Sequence, residues 1–179
     1  MTTAVKALRE YIVNFGKLKP GKHEFEFVID DNFYRQFEYS LVKEGKVDLH
    51  LVLEKQSESF LILNFEFNGS IKLECDRCLD EFNYPVHSNK KLFVKLEGKA
   101  KEDDSDEIIF LDEDAYEIDL SEIIYEFINL EIPLHKVCEA GGKVCNPEME
   151  NYLGHINDGP EGDIDPRWSG LEKLKEDEE

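Results

Sequence analysis

Long apolar runs are what this sequence most plainly lacks. Nothing in it approaches the roughly 18 consecutive apolar residues of a membrane-spanning helix. The opening stretch Met1-Thr2-Thr3-Ala4-Val5-Lys6 carries no apolar core of a secretory signal. The expectation is a cytoplasmic chain with no membrane partner. Cysteine is scarce, with four in 179 residues. In a reducing cytoplasm such thiols point to a metal or an inert buried role before a disulfide. Catalytic signatures are missing as well: there is no glycine-rich phosphate loop, Gly-x-Ser-x-Gly elbow or His-Glu-x-x-His pair. His23, His50, His87, His135 and His155 stand apart from any nucleophile motif. The residues therefore predict a non-enzymatic protein with no small-molecule substrate.

Positive charge is short in one half only. Residues 1–101 hold 16 Lys and Arg against 16 Asp and Glu, whereas residues 102–179 hold 5 against 25 and supply the whole net charge of −20. The basic excess that marks a nucleic-acid binder is absent from the chain as a whole. An acidic half of this strength repels phosphate at long range and suits a basic partner.

What is present is alternation. Residues 5–15 read as a poorly patterned lead-in, and Pro20-Gly21 marks a turn. His23, Phe25, Phe27 and Ile29 then alternate with polar residues as a half-buried strand. Asp30-Asp31-Asn32 can cap one or two helical turns over 33–37. Val47, Leu49, Leu51 and Leu53 share one face, Gln56-Ser57-Glu58 turns the chain, and Leu61, Leu63, Phe65 and Phe67 form the next inward face. That parity continues through Ile71, Leu73 and Cys75, with a bend expected at Asn68-Gly69-Ser70. Two further strands are expected, one through Phe82, Tyr84 and Val86 and one through Leu92, Val94 and Leu96, giving about five antiparallel strands. Residues 99–107 read as a mobile acidic loop, and 108–111 and 115–118 as short strands. Asp119-Leu120-Ser121-Glu122 reads as a capping box that opens a helix with Leu120, Ile123, Ile124, Phe127, Ile128 and Leu130 on its apolar stripe. Asp165-Pro166 opens a second helix carrying Trp168, Leu171 and Leu174. The expected architecture is α+β: a mainly antiparallel β-sheet or partial barrel, a packed helix over 119–131 and a short C-terminal helix over 166–175. Residues 1–175 form one domain in this reading, followed by an acidic tail over 176–179.

The chain's clearest candidate chemistry lies in its four cysteines. Cys75 and Cys78 stand two residues apart at a turn, and Cys138 and Cys145 follow far downstream. Four thiolates match a tetrahedral structural zinc. The six-residue gap between the second pair departs from a standard knuckle, which makes His135 a possible substitute ligand. The competing readings are a thiol redox pair at Cys75 and Cys78, or a buried Cys75 with no further role. A local basic set, Lys90, Lys91, Phe93 and Lys95, is a second candidate. On a strand Lys91, Phe93 and Lys95 face one way, either as an RNA- or protein-facing ridge or as lysines guarding an edge strand.

The string Leu73-Glu74-Cys75-Asp76-Arg77-Cys78-Leu79 resembles the Cys-x-Arg-Cys-Leu signature of the YceD-type family, the large ribosomal RNA subunit accumulation proteins. The acidic helix over 118–130, Ile132-Pro133-Leu134, and the ending Asp165-Pro166-Arg167-Trp168 with Leu171 and Leu174 are similar to that family in order and spacing. The resemblance runs from about residue 46 to residue 175. It implies a mainly antiparallel β domain with packed helices. By it the protein would be a small bacterial factor supporting 23S rRNA accumulation and large-subunit biogenesis. Its partner would be a ribosomal protein or pre-ribosomal particle, with direct rRNA contact as the alternative.

Overall fold

The computed structural model describes residues 9–98, 107–149 and 152. The expected loop over 99–107 (apart from Glu107), the C-terminal helix over 166–175 and the tail over 176–179 lie outside the described residues. Chain order gives β1 (Ile12–Val13), β2 (Gly21–Ile29), α1 (Asp31–Tyr34), β3 (Gly45–Lys55), β4 (Phe60–Glu74), β5 (Glu81–Leu96), β6 (Ile108–Leu111), β7 (Ile118–Asp119) and α2 (Ser121–Leu130). Strands β2 to β6 form one sheet in sequence order, while β1 pairs with β7. The fold is α+β around a mainly antiparallel sheet, and the sheet is open. Among the described residues no helix is long and apolar enough to cross a membrane.

Period-two alternation sets the register. Leu49 opposes Phe67, Leu51 opposes Phe65 and Leu53 opposes Leu63, and all six are buried. A slip of one residue would turn that whole row into solvent. Each such side chain contributes roughly 1.5–3 kcal/mol when fully buried.

Two expectations about β4 and β5 need correction. No bend interrupts β4 at Asn68-Gly69-Ser70. The glycine is needed for close approach instead, since a Cβ on Gly69 would stand 2.2 Å from the Lys46 carbonyl oxygen. The segments over 82–86 and 92–96 are one 16-residue strand. Its inward positions keep even parity throughout, with half-buried Ser88 and Lys90 bridging the apolar ends. The antiparallel strands of the sheet are therefore four, and the fifth, β6, runs parallel to β5. Over Phe93 to Leu96 the strand is interior to the sheet, which removes the edge-guarding reading for Lys95.

One face of the sheet carries the core. The lead-in takes part in it, because Tyr11, Val13 and Phe15 are buried. Their alternation is too short to register as a pattern. Asp30 caps α1, its Oδ1 accepting from the backbone N–H groups of Asn32 and Phe33. Helix α2 lies on the same face: Phe127 meets Phe65 and Phe67 edge-on at 5.2 and 6.3 Å, and Tyr125 stacks on Phe37 at 3.9 Å. The capping box is half realised. Asp119 Oδ1 accepts from the Ser121 amide and hydroxyl, while buried Leu120 takes the cap position without a side-chain bond. Leu130 leaves the expected apolar stripe and is 72% exposed. The strand expected over 115–118 shrinks to β7, which needs β1 as its partner.

Candidate metal centre

Parity delivers Cys75. It continues the inward row of β4 one step past the end of the strand, after Ile71 and Leu73, and is fully buried. The chain then reverses tightly. The Cys75 amide donates to the Asp80 carbonyl and the Leu79 amide to the Cys75 carbonyl, each at 2.9 Å. Leu79 holds the left-handed conformation at φ 62°. An L-residue adopts that conformation only at a cost. The turn brings Cys78 back to the side of Cys75.

The second pair comes from the chain after α2. Residues Cys138–Gly141 form a 3-10 turn ended by Gly142 at φ 71°, where glycine pays no steric cost. The Lys143 amide closes it by donating to the Cys138 carbonyl at 3.0 Å. Gly141 packs straight onto β5, where a Cβ would stand 2.2 Å from the Asn83 carbonyl oxygen. Several links then join this loop to the hairpin turn. The Asp76 amide donates to the Lys136 carbonyl at 2.7 Å, and the Lys136 amide donates to Asp76 Oδ2 at 2.7 Å. Arg77 pairs with Glu139 at 2.8 Å. Lys143 Nζ donates to the Glu81 carbonyl at 3.0 Å.

The four sulfurs converge. Cys75 Sγ lies 3.7 Å from Cys145 Sγ, Cys78 Sγ lies 3.5 Å from Cys138 Sγ, and all four fall within 4.8 Å of one another. A tetrahedral ion with bonds of about 2.3 Å to sulfur requires S···S edges of about 3.8 Å. A disulfide needs about 2.05 Å, and all four thiols are free. The donor set therefore fits a thiolate-binding metal ion in both number and spacing. The closest contacts run between the two chain segments, so a bound ion would tie the hairpin turn to the loop after α2.

Electrostatics favour the first bond. Burial pushes the Cys75 thiol up, but the backbone N–H groups of Cys78, Arg77 and Cys138 all donate to its sulfur and bring it down to about 6. Cys138 is pushed well up by burial and by the thiols of Cys78, Cys75 and Cys145. Cys145 is raised by burial and by Cys75 and Cys78. In the metal-free cluster Cys75 carries the charge while Cys138 and Cys145 keep their protons, an arrangement a divalent cation relieves. A redox pair would need a thiol open to a partner disulfide. Here Cys75 and Cys78 are 0% and 3% exposed.

The other candidate residues fall elsewhere. His135 is exposed and lies outside the sulfur cluster. Lys91, Phe93 and Lys95 share the solvent face of β5, as their parity requires, whereas Lys90 points to the helical side and pairs with Glu131 at 2.6 Å. Sequence reasoning missed Phe60 and Phe110. Cross-strand register carries Lys95 between them, and only the pairing of β4, β5 and β6 reveals it.

No solved structure matches the chain. The sequence is 32% identical over 120 residues to the Uncharacterized protein YlbN of Bacillus subtilis (strain 168), covering 65% of this chain and 67% of that protein. The family model described as Large ribosomal RNA subunit accumulation protein YceD matches residues 63–175, a span that takes in both cysteine pairs. The chain thus belongs to the YceD family of large ribosomal RNA subunit accumulation proteins.

Proposed function

We propose that this protein is a non-enzymatic bacterial cytoplasmic factor that supports accumulation of 23S rRNA, and that Cys75, Cys78, Cys138 and Cys145 hold a structural zinc. The observation that carries the metal half is the set of four buried sulfurs spaced for tetrahedral coordination. Family membership carries the ribosomal half. Zinc bound there joins β4 and β5 to the loop after α2 and fixes the surface that this loop presents. The acidic second half, 25 Asp and Glu against 5 Lys and Arg, suits a basic partner such as a ribosomal protein on a pre-ribosomal particle.

The test pairs a cell with a metal assay. Deleting the gene should lower the ratio of 23S to 16S rRNA, and the wild-type gene should restore it. An unchanged ratio removes the ribosomal role. Elemental analysis of untagged protein should find about one zinc per chain. Four reactive thiols with no metal would remove the clip.

A further inference from the structure

The solvent face of the sheet carries a second constellation, at the end away from the cysteines. Two cross-strand rows run across it: Ile62, Phe93 and Ile108 in one, Phe60, Lys95 and Phe110 in the next. All six are half-buried. The Phe60 and Phe93 rings are parallel within 5° at 6.1 Å. Lys91 Nζ stands 4.8 Å from the centre of the Phe93 ring, and Lys95 Nζ stands 5.7 Å from that of Phe110.

The lysines are the telling part. The chain holds 41 carboxylates against 21 bases, and Lys55, Lys72, Lys90, Lys136 and Lys143 all form ion pairs. Lys91 and Lys95, like Lys17, Lys19, Lys22, Lys43 and Lys46, form none among the described residues, but these two lie over aromatic rings. Beside them is a depression of about 330 Å³ lined by His50, Val52, Asn64, Glu66, Asn89 and Lys91, whose amides and imidazole can meet the edges of a nucleobase.

We propose that this face binds single-stranded RNA: bases stack at Phe60, Phe93 and Phe110, and phosphates meet Lys91 and Lys95. A single strand offers both features the patch answers, an anionic backbone and open π faces. An acidic peptide would use the ammonium groups and leave the rings idle. A duplex hides its base faces and needs a long basic tract, which a chain of net charge −20 does not supply. The same net charge confines the contact to a short segment of strand. That the RNA is ribosomal rests on the function proposed above; the chemistry of the patch does not.

The experiment is fluorescence anisotropy of the full chain with a labelled oligouridylate of about ten nucleotides. A duplex of the same length and a polyglutamate peptide serve as rival probes. The single strand should bind at least about ten-fold more tightly than either rival. Phe93→Leu keeps apolar bulk in the strand but removes the ring, and should weaken binding about ten-fold. K91Q combined with K95Q should lower the slope of log K against log salt by about 1.4, the value for two phosphate contacts on a single strand. The lysine variant removes only the charge from two side chains on the solvent face, so it stays informative if the Phe93 variant folds poorly. Equal binding of the duplex, unaltered binding by both variants, or no binding overturns the proposal. Preference for polyglutamate overturns it in favour of a protein partner. An unaltered rRNA ratio in the deletion strain would remove the ribosomal role and leave the oligonucleotide result standing, so the two failures are separable.

Discussion

The two ends of the β4–β5 hairpin are built from the same pair of strands and held by different physics. At the turn, Cys75 and Cys78 meet partners 70 and 60 residues away in sequence. At the open end, Leu61, Leu63, Leu92 and Val94 meet across a register that β4 and β5 set between themselves. Closing a loop of some 60 residues costs about 3–4 kcal/mol. The ion pairs that bridge the turn to the downstream loop join exposed or half-buried groups at the surface, and such pairs contribute little. A metal present at a thousand times its dissociation constant contributes about 4 kcal/mol, enough to offset the closure. The open end needs no such tie, because its buried side chains are close neighbours in the hairpin. With the proposed zinc in place, one end is conditional on a ligand and the other is not.

Metal removal should separate the ends most strongly. Chelation, or Cys138→Ser, should lower Tm by roughly 8–16 °C for a loss of about 4 kcal/mol. Hydrogen exchange should quicken at residues 136–145 while the amides of Leu63 and Leu92 stay protected. Loss of protection at both ends together would make the hairpin one cooperative unit and dissolve the contrast.

Acidification should do the same more gradually. The Cys75 thiol falls from an ordinary value of 9.0 to about 6 in the folded chain. Its thiolate therefore favours the folded state above the unfolded value, and that contribution is lost as pH falls through about 6. Zinc release, followed with a chromogenic chelator, should rise as pH drops through that region. Uptake at neutral pH should release protons held by Cys138 and Cys145, whose thiols are raised. Metal retention flat from pH 7 to 5 would contradict this.

The smallest effect belongs to the surface. Glu139→Gln breaks the 2.8 Å pair with Arg77, whose partners are 44% and 55% exposed, and should move Tm by less than about 2 °C. A larger drop would mean that charge, and not sulfur, does the tying.

Much of this was legible in the residues. The alternation of Val47 to Leu53 and Leu61 to Leu73 gives the central hairpin and places Cys75 inward, because a period of two is a local property of an extended chain. The four-cysteine set was legible by chemistry alone. The lead-in was not, since Tyr11, Val13 and Phe15 are too few to show a period and become core only by packing with α1 and β2. Nor was β5 as one strand: polar Ser88 and Lys90 break its apolar pattern, and only pairing with β4 carries the strand through. The left-handed Leu79 left no signal, because side-chain type gives no reason to expect a leucine at φ 62°.

By itself the sequence determined the inward face of each long strand, the thiols available to a metal, and the acid balance of the second half. These follow from local alternation and from composition. Tertiary structure decided that Cys75 meets Cys145 while Cys78 meets Cys138, that β6 runs parallel to β5, and that Phe60 and Phe110 flank Lys95. Each of those depends on where distant segments cross, and no local period or propensity carries that information.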